Sequence, residues 1–268
     1  MPIDFSYKET WLHKINPSLK LIIIVLLFIH LLMIHNPNFL INYMIGTLLL
    51  YTFFTGHPWK RLAVISIPFV LIFLTSCTSM IFFGKGEITW FKWGLVHITE
   101  ESFFRGLHLG FRGIVFAALG VIFALTTRPV YLFYSLMQQL KLKPKYAYSF
   151  MAAIRLIPLM IEEMQTLHYA LKVRGVQAEK GVKGFYKKLK TYSIPLLSQS
   201  IRRAYRIAVA MEAKGFSNDV NRTYFYRLGL SKFDMVFICC LMIMISLSYV
   251  TAVQYPYFSI TDVRYYNG

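Results

Sequence analysis

Five runs of apolar residues, each close to the length that crosses a bilayer, set the terms on which this chain can fold. They lie at Leu19–His35, Phe39–Thr55, Leu62–Phe83, Leu107–Thr126 and Asp234–Val253. A helix needs about 17–25 mostly apolar residues to traverse the hydrocarbon core, and the first two runs sit at the short end of that range. His35-Asn36-Pro37-Asn38 separates those two, because a proline breaks the helix that would otherwise merge them. The expectation is an all-α, polytopic membrane protein with about five transmembrane helices. Residues 1–18 carry Lys8, Glu9, His13, Lys14 and Pro17, too long and mixed for a signal-peptide start, so the first span is read as uncleaved.

Charge gives the orientation. The chain has 268 residues, is 56% hydrophobic and carries a formal charge of +17. A soluble protein of this length rarely combines such apolarity with so few acids, whereas a membrane protein with a basic cytoplasmic part does. Between Arg128 and Lys232 there are nineteen Lys+Arg against five Asp+Glu, a net +14, and the remaining 163 residues contribute only +3. Lys8, Lys14 and Lys20 precede the first run, Lys60-Arg61 follow the second, and the loop Gly84–Arg105 is neutral. The positive-inside rule therefore places the N-terminus, the 56–61 turn and the basic block in the cytoplasm, with Tyr255–Gly268 outside. The expected domains are a four-span membrane part (1–126), a cytoplasmic helical module (127–232) and a last span with an external tail (233–268). Trp90 and Trp93 suit an interfacial aromatic belt.

The basic block reads as three segments. Arg128–Lys143 is a short amphipathic piece ended by Pro144. Two long amphipathic helices follow, each with an Ile-Pro-Leu in its middle (Pro158 and Pro195) and each closing on a basic residue and a glycine, Arg174-Gly175 and Lys214-Gly215. The spacing from proline to basic residue differs by three, nearly one helical turn, so the pair is an approximate internal repeat. Ala147, Phe150, Met151, Ile154, Ile161, Met164 and Leu171 share one face of the first, with Glu162 and Glu163 mostly off it. Leu197, Ile201, Ala204, Ala208 and Met211 form a stripe on the second, with Arg202, Arg203 and Arg206 opposite. Each internal proline removes one backbone donor and should kink its helix. Gln177–Gly184 is a polar connector, and the whole is expected to be an antiparallel pair.

Enzyme chemistry finds little to work with. There is no GxxxxGK[ST] phosphate loop, so the chain should not hydrolyse ATP itself, and no HExxH or CxxC pattern. Cys77 and Cys239-Cys240 lie in apolar runs and read as packing residues. Glu162 and Glu163 are adjacent on a helix and do not face each other, so they read as solvated or helix-paired. Nucleic-acid binding is excluded because the bases are bound into membrane-tethered amphipathic helices. A cation in the last turn followed by glycine is an ordinary helix ending. Two such endings on paired helices in the most basic part of a membrane protein instead suggest tips that enter an acidic groove on a partner.

At these residues the chain resembles the transmembrane T component of energy-coupling factor (ECF) transporters, the family that includes the cobalt-transport Q proteins. The resemblance runs through Leu12-His13-Lys14-Ile15-Asn16-Pro17-Ser18-Leu19-Lys20, Thr126-Thr127-Arg128-Pro129 and Ile154–Leu159 with Glu162-Glu163. It closes on Lys172-Val173-Arg174-Gly175 and Ala210–Phe216, the last two being similar to paired Ala-Arg-Gly signatures. Val173 stands for the usual alanine, Lys214 for the usual arginine and Asn16 for a frequent aspartate.

The resemblance implies that the two helices are coupling helices, with Val173, Arg174 and Gly175 docking on one ABC ATPase subunit and Ala213, Lys214 and Gly215 on another. It also implies that they transmit ATP-driven movement to a small hydrophobic substrate-binding membrane subunit that takes up a vitamin, a vitamin precursor, cobalt or nickel. The chain itself then needs no cofactor, since the partner subunits bind the ATP. A conventional permease is the alternative; it needs inward polar residues in the spans, and few stand out besides Arg112, Asn42 and the Thr75–Ser79 cluster. Arg112, inside the fourth run, calls for snorkelling or an intramolecular partner.

Overall fold

The computed structural model describes residues 8–84, 86, 88–93, 96–175, 181–217, 223–258 and 262–263. Half of the Gln177–Gly184 connector, much of the Tyr255–Gly268 tail and the Trp93 side chain lie outside that description. Among the described residues are eight α-helices, a 3-10 turn at Trp11–Lys14 and one short hairpin. The chain divides into two compact units, Met1–Leu132 with Leu228–Gly268, and Phe133–Arg227.

The first unit holds α1 (Pro17–Met33), α2 (Pro37–Phe54), α3 (Trp59–Phe83), α4 (Glu100–Thr126) and α8 (Lys232–Gln254). The local chemistry of the helix starts is plain. Asn16 and Asn36 each stand just before a proline that opens a helix, and their side chains accept from Ser18 N and from Asn38 N. Proline at the first helical position has no N–H to leave unsatisfied, and asparagine supplies the cap. Three helices, α3, α4 and α8, are long and apolar enough to cross a membrane, and α1 is a shorter apolar helix of 17 residues. The 18 residues of α2 rise about 27 Å.

Two features depart from the sequence reading. The fourth helix begins at Glu100 rather than Leu107, because Thr99 caps Ser102 N and Glu100 and Glu101 occupy the first turn, where the helix dipole favours acids. The segment before it, expected as loop, contains the antiparallel hairpin β1 (Thr89–Trp93) and β2 (Val96–Thr99).

Packing centres on α4, which touches α1, α2 and α3, while α8 lies against α2. Leu31, Leu40, Tyr43, Val115, Leu119 and Leu241 form the middle of one apolar core. Gly106 and Gly110 let α4 approach α3 closely: a Cβ on Gly106 would stand 2.7 Å from Ile81 Cγ1, and one on Gly110 2.6 Å from Phe73 Cε2.

Polar groups in this unit tie helix ends together. Arg112 donates to Ile34 O at the C-terminus of α1, and His108 Nε2 lies 3.2 Å from the same oxygen. The half-buried charge of the fourth helix therefore has an intramolecular partner, where a cation is favoured by the dipole of α1. Asn38 holds Phe258 at two points, accepting from its N–H and donating to its carbonyl, each at 2.8 Å.

At the other end of α1 the ammonium of Lys20, 1% exposed, donates to Leu12 O at 2.6 Å, Thr126 Oγ1 at 3.0 Å and Thr126 O at 3.2 Å. The motif Leu12–Lys20 is thus a closed polar junction, which residue spacing alone did not reveal.

The glycine contacts give a stability test. Gly110→Ala should destabilise the chain by about 1–3 kcal/mol through overpacking, read as a lower midpoint of thermal unfolding in detergent. Gly113→Ala, where nothing lies within 4 Å, should leave the midpoint unchanged or raise it.

Candidate functional site

The second unit is built on α6 (Pro144–Val173) and α7 (Val182–Ala213), preceded by α5 (Pro129–Gln139), which begins in the first unit. Lys143 stands before Pro144 in extended geometry, as a residue preceding proline should, and α6 starts there. Pro158 and Pro195 lie inside helices that continue on both sides of them. Phe133 of α5 stacks on Phe150, with ring centroids 5.3 Å apart, and Ala147 is fully buried.

The two long helices run antiparallel. Phe216, just past the end of α7, meets Tyr148 near the start of α6 at 5.7 Å between ring centroids. Farther along, Glu163 pairs with Arg203, and His168 Nδ1 and Tyr192 Oη are 2.8 Å apart. The helix-paired reading of Glu163 therefore holds, and Arg203, read as lying opposite the apolar stripe of its helix, is the residue that meets it. A cavity of about 430 Å³ opens between the helices, lined among others by Met164, His168, Tyr169, Phe185, Leu189 and Tyr192.

Both helices end in the same way. Arg174 closes the last turn of α6 with its N–H on Ala170 O, and Gly175 takes φ +67° with its N–H on Lys172 O. Lys214 closes α7 with its N–H on Ala210 O, and Gly215 takes φ +69° with its N–H on Glu212 O. Phe216 N then reaches back to Met211 O at 2.9 Å, completing the six-to-one bond of a Schellman ending.

These caps carry the side chains that the sequence reading expects to dock. Val173, Arg174 and Gly175 are exposed, as are Ala213, Lys214 and Gly215, and neither Arg174 nor Lys214 has an ion-pair partner among the described residues. The structure does not bring the two tips together. Lys214 lies at the Tyr148 end of α6 and Arg174 at the other, so about 25 residues of helix, or about 40 Å, separate them.

The flanking faces are apolar and largely uncovered in this unit: Ile157 is 55% exposed, Ile161 49%, Leu197 62% and Ile201 60%. All but Ile157 belong to the two stripes read from the sequence, which are largely uncovered apart from contacts such as the buried Ala147 and the Phe150–Phe133 stack. Among the described residues no group of three or more His, Cys, Asp or Glu could hold a metal ion.

A bundle of apolar helices joined to a long helix pair with exposed cationic ends defines a membrane protein equipped to engage other proteins. The sequence profile of the CbiQ family, described as cobalt transport protein, matches residues 8–225. The chain belongs to that family. It is 26% identical to the energy-coupling factor transporter transmembrane protein EcfT of Macrococcus caseolyticus, over 84% of this chain and 88% of the relative. It is 28% identical to the EcfT protein of Limosilactobacillus fermentum, over 93% of this chain and 96% of the relative. The EcfT protein of Clostridium kluyveri is 25% identical, over 90% and 92%. The resemblance to ECF transporter T components is thereby borne out, and with it a membrane transport role.

The caps make their own prediction. A Cβ on Gly175 or Gly215 would meet no atom within 4 Å, so only the sign of φ demands glycine there. Gly175→Ala or Gly215→Ala should cost about 1–2 kcal/mol locally, seen as faster amide hydrogen exchange in the last turn of the affected helix with the other helix end unchanged.

Proposed function

We propose that this chain is the coupling subunit of an ECF-type ABC importer, working between two ATPase subunits and a small hydrophobic substrate-binding subunit. It carries ATP-driven movement from the ATPases to the substrate-binding subunit, which releases a vitamin, a vitamin precursor or a transition metal ion inside. On this reading it is not an enzyme, binds no nucleic acid and holds no cofactor, since ATP sits on the partners.

The chain lies in a bacterial plasma membrane with five spans, α1 to α4 and α8, and a cytoplasmic N-terminus. The module at 127–232 faces the cytoplasm, in keeping with its net +14. α1 and α2, at about 26 and 27 Å, match a hydrocarbon core of about 30 Å only if the bilayer thins slightly or flanking residues snorkel.

One observation carries the reading: two cationic tips with the same cap geometry at opposite ends of one antiparallel helix pair. Tips about 40 Å apart suit two separate grooves, one on each ATPase. The apolar faces between them offer the area that a hydrophobic membrane subunit needs. Polar residues that a self-sufficient permease would require are instead spent internally. Thr75 and Thr78 bond to the carbonyls of Leu71 and Leu74, Asn42 Nδ2 donates to Asn38 O, and Arg112 caps α1. Hydroxyls satisfied four residues back are suited to lipid rather than to a substrate path.

Pull-down of the ATPases by the tagged chain tests the docking. Arg174→Ala or Lys214→Ala should each weaken capture by about 2 kcal/mol, as expected of a buried interfacial cation. The double variant should insert into the membrane normally and capture none. Undiminished capture by the double variant would reject the anchoring role of both tips.

A further inference from the structure

The chain passes between its two units twice, leaving the first just after α4 and returning just before α8. Both passages are held by one short segment, residues 12–20. On the outgoing side, Lys20 Nζ holds the carbonyl and the hydroxyl of Thr126, the last residue of α4. On the returning side, Asn16 Nδ2 donates to Gly229 O at 3.1 Å, and Asn16 N donates to Asp234 Oδ1 at 2.8 Å. The second oxygen of Asp234 accepts from Ser231 N at 2.6 Å and so caps α8.

The junction is buried. Lys20, Asn16, Thr126 and Asp234 are each at most 4% exposed. An ammonium has three N–H donors, and here Leu12 O and the two oxygens of Thr126 take them, with Thr127 Oγ1 a longer fourth acceptor at 3.5 Å. Losing an acceptor weakens the satisfaction of a buried charge, so the contacts support one another. Asn16 is also the residue the site requires. Its Oδ1 accepts from Ser18 N and Oγ while its Nδ2 donates to Gly229 O. Aspartate could only accept, and would add a second carboxylate beside Asp234. The returning segment is tied down where it has no regular structure of its own, since residues 227–231 precede α8 as coil.

We propose that Lys20, Asn16 and Asp234 are positioning residues that clamp the outgoing and returning passages into a single joint. Displacement of the second unit then reaches α4 and α8 instead of dissipating in frayed helix ends. This function rests on the coupling role proposed above; the clamp itself does not.

Hydrogen exchange on the full chain in lipid nanodiscs, alone and with its two ATPases, tests it. Lys20 and Thr126 make their hydrogen bonds on the outgoing side and Asp234 on the returning side, with the Lys20 and Asp234 charges acting on each other through space. Lys20→Met and the milder Thr126→Val should nevertheless speed exchange about tenfold at residues 228–234, and Asp234→Asn should do the same at 122–128. Exchange in the α3 interior should stay unchanged, and Lys20→Arg should restore much of the protection. With the ATPases bound, a non-hydrolysable ATP analogue should change exchange in α6 and α7 of every variant. The accompanying change in α4 and α8 should shrink at least about threefold in the clamp variants relative to wild type.

A rise confined to the substituted side, or an undiminished response in α4 and α8, would overturn the proposal. So would general loss of protection in Thr126→Val, which would mark the contacts as merely structural. Should the wild-type chain capture no ATPase, the coupling role fails, while the exchange measurements on the chain alone still decide whether one clamp exists.

Discussion

An ammonium group with water excluded must find acceptors or lose its charge, and the first unit is arranged around meeting that demand for Lys20. The group cannot be satisfied by residues near it in sequence. Leu12 lies eight positions away and Thr126 more than a hundred. The end of α4 must therefore come to the start of α1, and the 3-10 turn at Trp11–Lys14 must fold back so that Leu12 O points inward. Asp234 draws the start of α8 to the same place through Asn16. Three helix ends meet because two buried charges and one amide leave them no cheaper arrangement.

The opposite end of α1 follows the same logic with different residues. Its final carbonyl at Ile34 is served by Arg112, and Asn38 secures the chain after α8 by holding Phe258. Several conspicuous polar side chains in the apolar helices are thus spent on a helix end or bonded to their own helix, whereas Tyr43 Oη and His30 Nε2 are buried with no hydrogen bond among the described residues. The second unit is organised in the reverse sense. Its polar contacts, Glu163 with Arg203 and His168 with Tyr192, lie between the helices, while many of its large apolar side chains, Leu197 and Ile201 among them, are exposed. A pair of helices held by polar contacts and presenting apolar surface is suited to acting on something else.

What the sequence disclosed and what it hid follow from range. The apolar helices were legible because lipid imposes a length, and the break between α1 and α2 because Asn36-Pro37 is a local signal. The paired endings were legible because a left-handed residue after a helix strongly favours glycine, so Arg174-Gly175 and Lys214-Gly215 are readable from neighbours alone. The early start of α4 was missed because Glu100, Glu101 and Arg105 lower its apolarity, although a helix can extend past the hydrocarbon. The hairpin at 89–99 is too short, and its residues too mixed, for alternation to declare it. The partner of Arg203 was not legible, because a helical stripe gives the faces of one helix and not the neighbour that a face meets. The purpose of Leu12–Lys20 was hidden entirely, since its partners lie 106 and 218 residues away.

The two tips share a backbone geometry but not a side chain, and the difference bears on what each can do. Arg174 presents a planar fork able to bind a carboxylate at two points and to stack on an aromatic ring, whereas Lys214 presents a compact, strongly hydrated charge. On the coupling reading, a groove that receives Arg174 gains from a fixed carboxylate, while one that receives Lys214 gains little from that precision. The surroundings differ in the same direction. Phe216 rests on Tyr148 directly behind Lys214, so the α7 tip is braced against the start of α6. A braced tip can bear load with a less directional contact, whereas the α6 tip, with Val173 89% exposed beside it, depends more on what the arginine itself can grip. Equivalent caps therefore support two unequal anchors, and the pair has a built-in polarity that its near-repeat sequence conceals.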